Sequence, residues 1–85
     1  MEPLESVRAG LTGRHEMDVT RELTVGAHLD GVPSVFGAPM MILAMEIASA
    51  AAAAPHLPAG WAIVGGEVNV RHLAPTPVGR TVFAT

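Results

Sequence analysis

No cysteine occurs in the chain, which excludes disulfides, thiolate metal sites and a cysteine nucleophile and suits a reducing, cytoplasmic setting. Basic charge is nearly as scarce. Five basic residues scattered from Arg8 to Arg80 form no patch, and the formal net charge is -3. The electrostatic footprint of a nucleic-acid-binding protein is therefore missing. The sequence has no H-x-x-x-H motif and no carboxylate cluster, so no metal site is expected. The start, MEPLESVRAG, is acidic and lacks the basic and apolar regions of a secretory signal.

What is present fits one small globular domain: 85 residues, of which 49% are apolar. A single core stabilises only marginally below about 70–80 residues. With no disulfide to help, further chain or a partner copy is expected. Residues 1–14 read as a lead-in with a turn near GLTG, and residues 15–85 as the domain. From Glu16 to Val25, Met17, Val19, Leu23 and Val25 alternate with Asp18, Thr20, Glu22 and Thr24, the pattern of a half-buried strand with Arg21 as the misfit on its apolar face. GAHLDGVPS is rich in turn formers and reads as a loop.

The run VFGAPMMILAMEIASAAAAA, residues 35–54, contains almost nothing polar except Glu46 and Ser49. It is long enough to be tested as a membrane span. Pro39, the dominance of alanine and a central carboxylate, which costs roughly 2.5–3.5 kcal/mol on insertion, argue against that reading. The pattern predicts a buried helix from Pro39 to about Ala54, enclosed on nearly every face by a curved sheet. Ala38 then falls at the N-cap, where a hydroxyl or carboxamide residue would stabilise more. WAIVGGEVNVRHLA predicts a strand with Val64, Gly66, Val68, Val70 and His72 on one face and Gly65, Glu67, Asn69, Arg71 and Leu73 on the other. PTPVG is a turn, and RTVFAT opens another strand.

A buried ionised carboxylate is costly without a partner, and His72 is on the apolar face most suited to meet the helix. Glu46 and His72 are accordingly candidates for an acid–base pair; the alternative is a satisfied core histidine and a glutamate that faces solvent. The Gly65–Gly66 pair marks either a bulge with a free amide or a close helix–sheet approach. His15, His28 and His56 are expected to be structural or solvent-facing.

The segments VFGAPMMILAMEIA and VGGEVNVRHLAPTPVG resemble the fluoroacetyl-CoA thioesterase-like group of hotdog-fold thioesterases, over roughly residues 17–85. The resemblance implies an α+β hotdog fold, a long central helix wrapped by a curved antiparallel β-sheet, here as an incomplete β-α-β-β portion. It further implies that Glu46 and His72 are catalytic and that Gly65 lies against the thioester. The family's threonine or serine hydroxyl falls on Ala38, a departure at the nucleophile or hydroxyl donor. The expected activity is hydrolysis of a small acyl-CoA thioester by Glu/His-assisted attack of water, with Gly65 and the helix-start residues Ala38, Pro39 and Met40 around the carbonyl oxygen. No cofactor is expected beyond the coenzyme A thioester as substrate, and a homodimer or higher homo-oligomer is expected as the assembly. The alternatives are a non-catalytic acyl-CoA-binding module and a truncated, inactive fragment.

Overall fold

A computed structural model describes residues 6–85; residues 1–5, the start of the expected lead-in, lie outside the described residues. The chain turns at Ala9–Gly10, where Gly10 takes a φ of 93°, a left-handed conformation suited to glycine. Strand β1, His15–Asp18, follows, and it pairs antiparallel with β2, Thr81–Ala84, in the register His15↔Ala84, Glu16↔Phe83, Met17↔Val82 and Asp18↔Thr81. Val19 prolongs the pairing through its amide on Arg80 (2.7 Å) and its carbonyl on Gly79 (2.9 Å). The Thr81 hydroxyl donates to Asp18 across the same pair at 2.7 Å.

The alternation expected from Glu16 onward holds as far as Val19, with Met17 half-buried, Val19 buried and Glu16 and Asp18 exposed. It ends at Arg21, the misfit. Short 3₁₀ turns replace the strand at Arg21–Leu23 and Val25–Ala27. Thr24, between them and only 1% exposed, donates its hydroxyl to the Arg21 carbonyl at 2.6 Å and forms an isolated bridge to Phe36. The loop that follows returns to this point: the Val25 amide bonds the Val35 carbonyl (2.9 Å), and the Gly37 amide bonds the Leu23 carbonyl (3.0 Å).

Helix α1 spans Ala38–Ala53 and ends in a 3₁₀ turn, Ala54–His56. Its N-cap is Gly37, with φ -77° and ψ 142°, so Ala38 is the first helical residue and Pro39 the second. That corrects the expected start by one position. Glycine caps nearly as well as threonine because it adopts the extended conformation with little strain. The stretch Ala38–His56 has 19 residues with a mean hydropathy of 1.4, long and apolar enough by length and composition alone to cross a membrane.

The expected enclosure of α1 on nearly every face is corrected too. Ala44, Ala48 and Ala53 are buried, while Leu43 (41% exposed) and Ile47 (37%) face outward with Met45 and Glu46. Alanines one turn apart make a shallow stripe on which β1 and β2 pack, and no further strand among the described residues covers the opposite side. The reason lies in residues 61–73, which run beside the helix as irregular chain in place of the expected strand. Alternation predicts a strand only where neighbouring strands take up its backbone groups, and none does so here. Each of these residues is exposed except Val70. The chain comes back to the core at Thr76 and Pro77, whose backbones pair with Phe36 and Val35.

Gly13 lies directly on α1. A methyl group there would run into the Ala48 carbonyl oxygen and the Ala52 amide nitrogen, both backbone atoms with no freedom to move aside. Gly13→Ala is expected to cost about 1–3 kcal/mol by overpacking, read as a lowered midpoint in thermal denaturation. Gly66→Ala, with nothing within 4 Å of the new carbon, is the control and should leave the midpoint in place.

Candidate active site

The sequence places its only acid of the long apolar run at Glu46, in the third turn of α1, on the side that β1 and β2 leave uncovered. The side chain is exposed within this chain, so the cost of burying a lone carboxylate does not arise. Across from it runs the irregular segment. A hollow of about 580 Å³ opens between the two, with Ile42, Leu43, Met45, Glu46, Ile47 and Ser49 on the helix side and Ile63–Gly65 and Glu67–Val70 on the other.

Gly65 stands against Glu46. A Cβ at Gly65 would overlap the Glu46 carboxylate, so the absence of a side chain is what lets backbone and carboxylate approach. Alternation alone put Gly66, not Gly65, on the face of Val68 and His72. The structure leaves Gly66 with open space, because an irregular segment does not keep a two-residue period.

His72 lines a second hollow, of about 500 Å³, together with Arg71, Phe36, Met41, Ala44 and the end of β2. Met45 lines both hollows, which therefore adjoin along α1. Glu46 and His72 thus stand on adjacent parts of one groove. No hydrogen bond or ion pair joins them among the described residues, so the direct acid–base contact expected from the sequence is not formed within the chain. The two hollows differ in charge. The first carries Glu46 and Glu67 with no basic side chain, whereas the second carries Arg71 and His72 with no acidic one.

The helix start offers less than expected. Pro39 has no N–H, and the amides of Met40 and Met41 both bond the Gly37 carbonyl at 3.0 Å. Ala38 keeps the one amide of the first turn without a partner among the described residues. Met40 is therefore withdrawn as a donor, and Pro39 contributes shape alone. Ser49 also lines the first hollow and donates its hydroxyl to the Met45 carbonyl at 2.8 Å. Its spacing of three residues from Glu46 puts both on one helix face.

The other histidines lie apart from this groove. His28 bonds the Glu22 carbonyl through Nε2 at 2.8 Å, and His15 is part of β1. Among the described residues no group of three or more acidic, histidine or cysteine side chains is arranged to hold a metal ion.

Comparison with known proteins gives one consistent result. The family described as fluoroacetyl-CoA-specific thioesterase, FlK, matches residues 19–85. The chain is similar to the solved structure of the fluoroacetyl-CoA thioesterase FlK at 33% identity and a TM-score of 0.81, over 89% of this chain and 61% of that one. It is equally similar to a threonine-to-alanine variant of FlK in complex with fluoroacetate: 34% identity, TM-score 0.81, 89% of this chain and 62% of that one. A phenylalanine-to-alanine variant in complex with fluoroacetate and CoA matches at 33% identity and a TM-score of 0.76, over 82% and 59%. The chain spans about six-tenths of the length of these structures. No curated protein sequence matches.

Gly65→Ala separates the two partners in the close approach. The new methyl meets the far end of a flexible side chain rather than backbone. Unfolding stability should therefore change by less than about 0.5 kcal/mol, while a structure of the variant shows the Glu46 carboxylate displaced. A loss above about 1 kcal/mol would show that the backbone takes up the strain instead.

Proposed function

Because the chain belongs to the fluoroacetyl-CoA-specific thioesterase family and has its hotdog fold, we propose that it hydrolyses acyl-CoA thioesters in the groove along α1. The observation that carries this reading is the contact of Glu46 with a side-chain-free backbone position, Gly65, at the wall of a ligand-sized hollow.

Glu46 acts as general base. It takes a proton from water as the water oxygen attacks the thioester carbonyl carbon. The negative charge that develops on the carbonyl oxygen is held by the amide of Gly65, which has no partner among the described residues. The carbon–sulfur bond then breaks. Glu46 gives the proton it took to the departing thiolate, and Arg71 and His72, beyond Met45 in the adjoining hollow, face the anionic coenzyme. Ala38 brings no hydroxyl, so water rather than a side chain is the nucleophile.

A second copy of the chain completes the site. Exposed Leu43 and Ile47 on α1 and the backbone of residues 62–73, which pairs with no strand among the described residues, support a homodimer. The missing hydroxyl at Ala38 also favours a second reading, a module that binds acyl-CoA without turning it over; binding with no product formed by the full chain would select it.

Glu46→Gln should lower kcat for short acyl-CoA thioesters by about 100-fold or more, measured by release of free thiol. Undiminished turnover would overturn the general-base assignment. Ala38→Thr places a hydroxyl at the first helical position, one past the cap, so the helix gains no capping bond. Its unfolding free energy should stay within about 0.5 kcal/mol of the parent. Any gain in turnover then reports the hydroxyl's chemistry and not a stabler helix.

A further inference from the structure

Two positions without side chains hold α1 from opposite sides. Behind it, a Cβ at Gly13 would stand 2.5 Å from the Ala52 amide nitrogen and 3.1 Å from the Ala51 carbonyl carbon, and nearer still to the Ala48 carbonyl oxygen. In front, the Gly65 backbone lies against the Glu46 carboxylate. Ala48 and Glu46 are two residues apart, which places them about 160° from each other around an axis of 3.6 residues per turn. A push from Gly13 is therefore a push of Glu46 toward Gly65.

We infer that Gly13 is a positioning residue: its missing side chain sets how far α1 stands from residue 65, and so fixes the Glu46 carboxylate relative to the Gly65 amide. The inference rests on the general-base reading above and names a residue that serves it from the far side of the helix. A methyl group at position 13 displaces whichever neighbour is less firmly held. The strand side is tied at both ends, since His15, two residues on, is paired with Ala84 in the β1–β2 ladder, and the Ser6 hydroxyl donates to the His56 carbonyl at the other end of the lead-in. No hydrogen bond joins α1 to residues 62–73 among the described residues, so the helix is the side that yields. Restoring about 3.5 Å between the methyl and the Ala52 nitrogen moves α1 by about 1 Å. Misplacement of a reacting group by about 1 Å costs up to about 100-fold in rate.

The test is kcat of the full chain on short acyl-CoA thioesters, in protein shown to be folded by circular dichroism. Gly13→Ala should lower kcat by about 10- to 100-fold. Glu46→Asp, which withdraws the carboxylate by one methylene, should cost about 100-fold in the parent and less than about tenfold in Gly13→Ala, because the shifted helix returns part of the lost reach. Two residues that share no contact otherwise multiply their effects, so a purely structural role for Gly13 leaves the cost of Glu46→Asp the same in both backgrounds. Equal costs overturn the inference, as does undiminished kcat in folded Gly13→Ala. Where Gly13→Ala does not fold, Ala48→Ser adds one atom to the same seam and takes its place, with the same suppression expected and equal costs again overturning the inference. If the parent cleaves no thioester, the general-base reading fails, and crystal structures of the parent and Gly13→Ala decide the inference separately. A helix shifted by about 1 Å toward residue 65 upholds it, and an unmoved helix with residues 10–12 displaced overturns it.

Discussion

The close seating of α1 on the β1–β2 pair is the constraint on which the rest of the structure depends. Ala44 and Ala48 are buried one turn apart, and Gly13 presses on the backbone of the same stretch. Side chains this small let helix and strand backbones approach until their own atoms touch, and a close-packed interface of that kind admits no added methylene. The seating also fixes the helix in rotation. With its small residues turned inward, the larger ones, Leu43, Met45, Glu46 and Ile47, face the opposite way, toward the groove.

Around the outward side the molecule divides its polarity along the helix. Met45 marks the boundary. Acids line the hollow on one side of it, and Arg71 and His72 line the other. An elongated ligand that is neutral at one end and anionic at the other has one electrostatically favourable direction in such a groove. The charge distribution along α1 thus gives the groove a direction.

How far the sequence foretold this differs from element to element. The helix was legible because Pro39 and the apolar run act locally, and the one-residue error at its start arose because glycine also caps a helix. Arg21 was legible as a misfit, and the strand gives way there. The alternation of residues 61–73 foretold a strand that did not form, since pairing is a property of neighbours that local pattern does not contain. Burial of Glu46 was inferred from the residues beside it in sequence, but exposure depends on how much sheet reaches the helix face, a tertiary fact. The family resemblance singled out Gly65 as the residue against the thioester, but its approach to Glu46 had no signal in the two-residue period, which favoured Gly66. The placing of Glu46 and His72 in two adjoining hollows, both lined by Met45, had no sequence signal at all.

The two walls of the first hollow differ in kind. One is a hydrogen-bonded helix, while the other, from Ile63 to Val70, has no backbone bond of its own among those described. Segments with so few bonds open at low free energy. The helix is therefore the wall that holds the shape of the hollow, and the facing segment is the one whose amides exchange first with solvent.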